Sequence, residues 1–172
     1  MPALPPPSSI LGRMLDAFPR SGRVEWLGVR PGVHQPMVAL EEVEAVPGDG
    51  LVGDRYRSRR GGAGTRQVTL LQAEHLPVIA ALAGLDAVTP EALRRNVVVS
   101  GINLQALKGR RVAVGGAVLT VVSPCDPCSQ MEDGLGEGTY NAMRGHGGWN
   151  ARVLEGGRIR VGDPVTHLGR LD

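Results

Sequence analysis

Short apolar runs, separated by breaks rich in glycine and proline, give most of this 172-residue chain the pattern of a β protein. β-Branched residues dominate these runs, and residues that favour turns divide them at close intervals. The predicted strands are residues 24–29, 37–46, 67–71, 97–99, 112–114, 117–122, 151–154, 158–161 and 165–168. We expect residues 37–46 to form one long, bent strand, and the glycine-containing breaks at 115–116 and 155–157 to close two hairpins.

Apolar residues at helical spacing occur in a few short segments between these runs. The first segment follows a capping serine at position 8 or 9, and its apolar residues are Ile10, Leu11, Met14, Leu15 and Phe18. We expect this short amphipathic helix to pack its apolar side on the protein's own surface. Further helices are predicted over residues 72–83 and from Thr89 to about residue 96, with a single turn at 102–107.

These elements divide the chain into an N-terminal extension, residues 1–21, and one domain, residues 22–172. A length of 172 residues suits a single hydrophobic core. The predicted fold class is mainly β with short α insertions, a barrel-like arrangement of mixed or antiparallel strands.

Composition narrows the kinds of partner and compartment. The net charge of +2 gives no general electrostatic reason to bind nucleic acid or a membrane. No apolar run approaches the ~20 residues needed to cross a bilayer, and the N-terminus lacks the pattern of a signal peptide. Two cysteines three positions apart do not form the disulfide framework of a secreted domain. We therefore expect a cytoplasmic protein with reduced thiols.

The positive charge is nevertheless uneven, because five arginines lie close together. They are Arg55, Arg57, Arg59, Arg60 and Arg66. Guanidinium groups match the geometry of phosphate, so this loop is a candidate site for a local anionic ligand. A solvated surface explains any single one of these arginines equally well.

Other polar residues also have two interpretations each. Asp54, after Gly53, could contact a ligand or cap a turn, and Asn96 and Arg94 lie where a helix meets a strand. Arg144 and His146 lie on a glycine-rich segment that we expect to be a flexible loop. Either can be a ligand contact or an ordinary loop residue.

The sequence Cys125-Asp126-Pro127-Cys128 is the strongest chemical signal. A zinc site needs about four nitrogen or sulfur ligands, and the chain has no second C-x-x-C motif. A thioredoxin-like pair would open a helix, yet Gly134, Gly136 and Gly138 follow closely. The third interpretation is one reactive cysteine that carries sulfur or binds metal, with its neighbour secondary. Two buried structural thiols would be the simplest alternative, but the position between prolines at a strand end argues against it.

Several segments occur in an order that resembles the MOSC domain family, named for the C-terminal domain of molybdenum cofactor sulfurase. These segments are GLVGDR at 50–55, RQVTLL at 66–71, LRRNVVVSG at 93–101, Leu104, LKG at 107–109, Pro127-Cys128, GG at 147–148, ARV at 151–153 and VGD at 161–163. The resemblance covers residues 22–168. It implies a β-rich, barrel-like fold around one essential cysteine.

The resemblance also implies a cofactor and a site. The family's thiol follows a proline, which matches Cys128, although Cys125 follows Pro124 in the same way. We therefore predict both cysteines as catalytic residues, and Cys128 as a molybdenum ligand or an acceptor of sulfur as a persulfide. The residues predicted to bind the molybdenum cofactor, molybdopterin, are Asp54, Arg55, Arg57, Arg66, Arg94, Asn96, Arg144 and His146.

The implied partners are a sulfur-donating desulfurase or an electron-donor protein. Larger sulfurases fuse this domain to a desulfurase that uses pyridoxal phosphate, which we do not expect in so short a chain. The expected function is sulfur transfer or reduction of N-hydroxylated compounds, so we expect an enzyme. The alternatives are a non-catalytic cofactor carrier and a C-x-x-C thiol-disulfide protein.

Overall fold

The computed structural model describes residues 4–56 and 64–171. In chain order the strands are β1 (Gly22–Val29), β2 (Val38–Leu40), β3 (Glu42–Val46), β4 (Gly50–Leu51), β5 (Val68–Gln72), β6 (Val97–Ser100), β7 (Arg110–Val114), β8 (Ala117–Pro124), β9 (Trp149–Glu155), β10 (Gly157–Arg160) and β11 (Pro164–Arg170). The helices are α1 (Ile10–Asp16), α2 (His75–Ala83), α3 (Pro90–Leu93), α4 (Ser129–Leu135) and α5 (Thr139–Met143), with a 3₁₀ turn at Leu104–Leu107. No helix in the described ranges is long and apolar enough to cross a membrane.

Seven of the strands close into a barrel in the order β11-β7-β8-β9-β5-β6-β1, and β1 completes the ring by pairing with β11. β5 and β6 run parallel, whereas the other neighbours in the ring run antiparallel. β7 and β8 form the predicted hairpin, with Val114 opposite Ala117 across the two glycines. The prediction of a mainly β, barrel-like fold with short helices is confirmed.

Two details of the predicted strands are wrong. Residues 37–46 form two strands, because β2 pairs with β1 whereas β3 leaves the barrel and joins a three-stranded sheet with β10 and β4. Residues 155–157 do not close a hairpin either, since β10 pairs with β3 and not with β9. The glycine at 157 has another purpose: a Cβ atom there would collide with the backbone of Gly116. The glycine therefore allows two chain segments to cross closely.

The core has two parts, both aliphatic as the shortage of aromatic residues requires. The first fills the barrel with valine and leucine side chains from its strands. The second lies between the barrel wall and the helices, and it includes Leu71, Ile79, Leu93, Val98, Met131 and Met143. This second core fixes α3, α4 and α5 beside one another on the barrel.

The helix α1 is present and is capped as predicted, since Ser9 Oγ accepts a hydrogen bond from the Gly12 amide at 2.9 Å. The predicted packing of its apolar side is wrong: Ile10 and Met14 remain 72% and 68% exposed. Polar contacts hold the helix instead, because Asp16 pairs with Arg110 and Arg170. The domain boundary between residues 21 and 22 stays a prediction.

Candidate functional site

Both cysteines lie on the four-residue connection from β8 to α4, residues 125–128, which we name the thiol loop. Neither forms a disulfide; Cys125 is half-buried and Cys128 is exposed. Pro127 between them is buried. The loop thus turns its proline inward and presents Cys128 to solvent at the start of α4.

The guanidinium of Arg95 holds the thiol loop from below. Its Nη2 donates to the carbonyl oxygens of Cys125 and Asp126, at 3.2 and 3.3 Å. Its Nε donates to the Gly147 carbonyl at 2.6 Å, and its Nη1 donates to the Leu93 carbonyl at 2.9 Å. One side chain therefore joins the thiol loop to the end of α3 and to the segment before β9.

The glycine pair before β9 packs directly against this loop. The Gly148 carbonyl accepts a hydrogen bond from the Cys125 amide at 2.8 Å. A Cβ atom on Gly147 would lie 2.5 Å from the Cys125 carbonyl oxygen, so a side chain cannot be accommodated there. The segment after Cys128 is also less loop-like than predicted, because α4 and α5 occupy much of it.

Arg94 has different hydrogen-bond partners from Arg95. Its backbone is in the left-handed region, with φ of 55°, where it ends α3. Its Nη1 donates to the Gln35 carbonyl at 2.8 Å, whereas its Nη2 is buried without a hydrogen-bond partner in residues 4–56 and 64–171. An orphaned buried N–H group is costly unless something accepts from it, so this atom is a candidate ligand contact.

The electrostatics around Arg94 are those of a cationic site next to a thiol. Burial lowers the pKa of Arg94, and the positive charges of Arg30 and Arg55 lower it further. A thiolate at Cys128 acts in the opposite direction, because its negative charge favours the protonated guanidinium of Arg94. Burial likewise lowers the pKa of Arg95, against the opposing effect of Cys125 and Cys128.

The connection from β1 to β2, residues 30–37, forms one rim of the site. Besides the contact from Gln35 to Arg94, His34 Nδ1 lies 3.0 Å from Gln130 Nε2 on α4. His34 also has a positive φ of 58°, which is uncommon for a residue other than glycine. Arg94, α4 and this connection therefore surround Cys128.

Asp54 and Asn96, both predicted to bind the cofactor, are buried in a network of protein hydrogen bonds. Asp54 accepts from Arg30 Nε and Nη2, each at 3.0 Å, and from Asn96 Nδ2 at 2.8 Å. Asn96 Oδ1 accepts from the amide and hydroxyl of Thr69. Burial alone would raise the pKa of Asp54, but the bonds from Arg30 outweigh it and leave that pKa below its ordinary value. The two residues fix Arg30 at the site and have their own polar groups already paired.

The remaining predicted residues are more scattered. Arg55 is exposed and belongs to the cationic group around Arg94. Arg66 and Arg144 are exposed, and their side chains make no hydrogen bond or ion pair within the described residues. Arg57 lies outside the described residues. These assignments stay predictions.

His146 contacts a partner that the sequence did not suggest. Its ring meets the ring of His75 edge-on, with centroids 4.8 Å apart, and its Nδ1 is buried with no hydrogen-bond partner in the described part of the chain. The contact joins the glycine-rich segment to the start of α2, and the assignment of His146 to the cofactor stays a prediction.

Two residues at the site were missed by sequence reasoning. Arg30 follows a strand directly and has no distinguishing pattern, since its partner Asp54 lies 24 positions away. Arg95 is adjacent to Arg94, and the sequence alone does not separate the two roles. The run of two arginines before an asparagine was the available signal, but the left-handed turn that separates them is a feature of the backbone.

Comparisons with known proteins agree with the barrel fold. Crystal structures similar to the chain include the YUAD protein from Bacillus subtilis, with a TM-score of 0.75 and 22% identity over 85% of this chain and 94% of that chain. They also include YiiM from Geobacillus stearothermophilus, at 0.65 and 20% over 86% and 75%, and YiiM from Escherichia coli, at 0.67 and 18% over 90% and 72%. At these identities the likeness concerns the fold alone.

No curated protein sequence matches the chain. The family model of the MOSC domain matches residues 57–166, which is more than half of the chain. The protein therefore belongs to the MOSC domain family.

Proposed function

We propose that the protein binds the molybdenum cofactor and that Cys128 supplies the sulfur atom that meets the metal or accepts sulfur. The observation that carries the proposal is an exposed free thiol beside Arg94, whose Nη2 is buried without a partner in the described residues. Because an unpaired buried guanidinium nitrogen favours an anionic acceptor, the thiol and the anion site lie together.

The residues present fit the chemistry of this cofactor. Molybdopterin carries a phosphate, which suits Arg94 Nη2, an atom with no hydrogen-bond partner in the described residues. The exposed Arg55 adds positive charge near Arg94, and Arg30 adds a charge fixed by Asp54. Molybdenum is thiophilic, and the exposed thiol of Cys128 is a suitable soft ligand. When bound, the cofactor would supply two-electron chemistry at the metal.

The protein's own residues have separate tasks in this proposal. Asp54 and Asn96 orient Arg30, Arg94 contacts the anion, and Cys128 presents its sulfur. In sulfur transfer, the Cys128 thiolate attacks the outer sulfur of a donor protein's persulfide. A new S–S bond forms at Cys128, the donor's S–S bond breaks, and the donor leaves as a thiolate.

The proposal requires a second protein. Sulfur transfer requires a desulfurase that forms the persulfide with pyridoxal phosphate, and reduction of N-hydroxylated compounds requires an electron-donor protein. We place this exchange in the cytoplasm, where thiols stay reduced.

Metal and pterin analysis of protein purified from a molybdenum-competent host tests the proposal. We expect stoichiometric molybdenum and pterin in the wild type and in Cys125→Ser, and loss of molybdenum or of persulfide in Cys128→Ser. Turnover of an N-hydroxylated base would favour the reductase, whereas binding without turnover would favour a carrier. A wild type that retains neither molybdenum, pterin nor persulfide would contradict the proposal.

The arginine-rich loop is part of the same proposal. Replacing Arg57 and Arg66 together by methionine should weaken pterin binding, because both belong to the arginine-rich segment whose guanidinium groups suit a phosphate. The exposed Arg66 makes no contact in the described residues that folding would need. Unchanged pterin affinity would show that these arginines are ordinary solvated surface residues and do not bind the phosphate.

A thiol-disulfide function is the second candidate. It is favoured by two free cysteines three positions apart, one exposed and one half-buried, directly before a helix. In that case either serine substitution alone would abolish activity, and the wild type would form a reversible intramolecular disulfide. Mass spectrometry of both variants after treatment with a persulfide donor separates the two functions.

A further inference from the structure

We infer that Arg95 is a positioning residue that determines which of the two cysteines the thiol loop presents to the ligand. The functional consequence of this inference rests on the proposed function, in which Cys128 is the sulfur assigned to the cofactor. Its physical basis is independent of the cofactor.

The first support is the pattern of hydrogen bonds. The Nη2 atom of Arg95 donates to two successive carbonyl oxygens, those of Cys125 and Asp126. Successive peptide groups in an extended strand point their carbonyls to opposite sides, so two that converge on one nitrogen require a tightly curled chain. This curl turns Pro127 inward and leaves Cys128 exposed.

The second support is that the buried guanidinium of Arg95 holds backbone carbonyls in place and does not form an ion pair among the described residues. Arg95 is 5% exposed, yet its acceptors are backbone carbonyls, and no carboxylate pairs with it among the described residues. Burying an unpaired charge is expensive, so a residue with this arrangement must be retained for what its donors hold. What they hold is the thiol loop, the end of α3 and the glycine pair.

The third support is that lysine cannot reproduce the contact. The four bonds leave from three different nitrogen atoms of a planar group. Lysine has a single nitrogen and cannot reach three segments at once. Lysine at this position therefore keeps the charge while it loses the geometry, which allows the two to be separated.

The experiment measures alkylation rates at each cysteine in the folded protein, with iodoacetamide as the probe and mass spectrometry to distinguish the two sites. In the wild type we expect Cys128 to react roughly ten times faster than Cys125, because Cys128 is exposed to the reagent and Cys125 is half-buried. In Arg95→Met and Arg95→Lys the ratio should fall toward one. A charge effect, by contrast, would leave the ratio in Arg95→Lys unchanged and overturn the inference.

The matched control is Arg110→Met, which also removes a buried guanidinium bonded to backbone carbonyls, but away from the thiol loop. We expect that variant to keep the wild-type ratio. Equal loss of the ratio in Arg110→Met and in the Arg95 variants would show a general loss of packing and contradict the inference. If Arg95→Met does not fold, Arg95→Lys decides alone.

The alkylation measurement uses cofactor-free protein, so it separates the two proposals. A wild type that fails to retain molybdenum but keeps a ratio that depends on Arg95 would contradict the proposed function alone. A wild type that binds the cofactor while the ratio ignores Arg95 would contradict this inference alone.

Discussion

Arg95 and Arg110 are both buried arginines that hold another segment of the chain onto the barrel. They differ in whether a carboxylate balances the charge of the guanidinium. Arg110, 2% exposed, donates to the Asp16 carboxylate and to the carbonyl oxygens of Leu15 and Ala106. Arg95 donates to backbone carbonyls, and no carboxylate pairs with it in the described part of the chain.

The presence or absence of a balancing carboxylate distinguishes a structural anchor from a binding site. Asp16 balances the charge of Arg110, so this contact is complete and serves to fasten the N-terminal helix. Around the thiol loop, Arg94 and Arg95 leave positive charge unbalanced within the described residues. At Arg94, whose Nη2 has no described partner, this charge points to an anionic ligand, whereas the donors of Arg95 hold the thiol loop.

The largest expected effect comes from breaking the ion pair between Arg30 and Asp54, which lies beside the site. Asp54→Asn leaves Arg30 without its carboxylate in a buried network, so we expect the free energy of unfolding to fall by about 3 kcal/mol. Chemical denaturation at neutral pH measures this. An unchanged midpoint would mean that Arg30 and Asp54 do not form the anchored pair described above.

A smaller loss is expected at the balanced anchor itself. Arg110→Met removes bonds to Asp16, Leu15 and Ala106 but leaves Arg170 to neutralise Asp16, so the free energy of unfolding should fall by about 2 kcal/mol. The neighbouring exposed Arg111 pairs with Glu155 at the surface, and Arg111→Met should change it by less than about 0.5 kcal/mol. Equal losses in the two variants would refute the distinction between buried and exposed anchors.

The unbalanced arginine should behave in the opposite way. Arg94→Met removes a buried N–H group with no described partner together with the Nη1 bond to the Gln35 carbonyl, so the free energy of unfolding should fall by no more than about 1 kcal/mol. Affinity for the pterin phosphate should nevertheless fall roughly tenfold, since a charge-assisted contact is lost. Equilibrium binding measures this, with Arg111→Met as the control because Arg111 pairs with Glu155 and has no predicted role at the site. A large loss of stability with unchanged affinity would reverse the assignment.

The smallest effect is a pH dependence at the histidine contact. Burial lowers the pKa of His75 below its ordinary value of 6.5, and the neighbouring His146 lowers it further. The unfolded chain therefore binds more protons near that pH, so stability is present above about pH 6.5 and is lost as the pH falls through the folded pKa.

His75→Gln should flatten this part of the stability profile between pH 8 and pH 5. Burial and Arg110 also lower the pKa of His167, so a residual slope of the same sign should remain. Denaturation midpoints across this range measure both contributions. A wild-type stability that rises on acidification would contradict the lowered pKa of both histidines.

Much of this fold was predictable because short patterns of neighbouring residues determine its hairpins and helix caps. Alternating apolar residues and a two-glycine turn identified the β7–β8 hairpin, and Ser9 and Thr89 identified the caps of α1 and α3. The separation of residues 37–46 into two sheets was not predictable, since it depends on which distant strand each half meets. The exposed side of α1 was missed for the same reason, because its anchors Arg110 and Arg170 lie about a hundred residues or more away.

The candidate site divides in the same way. Cys128, Cys125 and Arg94 could be proposed from motifs and from the family resemblance. The pairing of Asp54 with Arg30, and the position of Arg95 beneath the thiol loop, depend on tertiary contacts that leave no spacing signal. The different partners of Arg94 and Arg95 accompany a left-handed backbone at Arg94, which an arginine pair in a sequence does not reveal.

The most direct test of the central claim is molybdenum K-edge absorption of cofactor-loaded protein. If the exposed thiol of the loop meets the metal, the wild type and Cys125→Ser should share one more sulfur scatterer than Cys128→Ser. An identical molybdenum environment in all three proteins would contradict the assignment of Cys128.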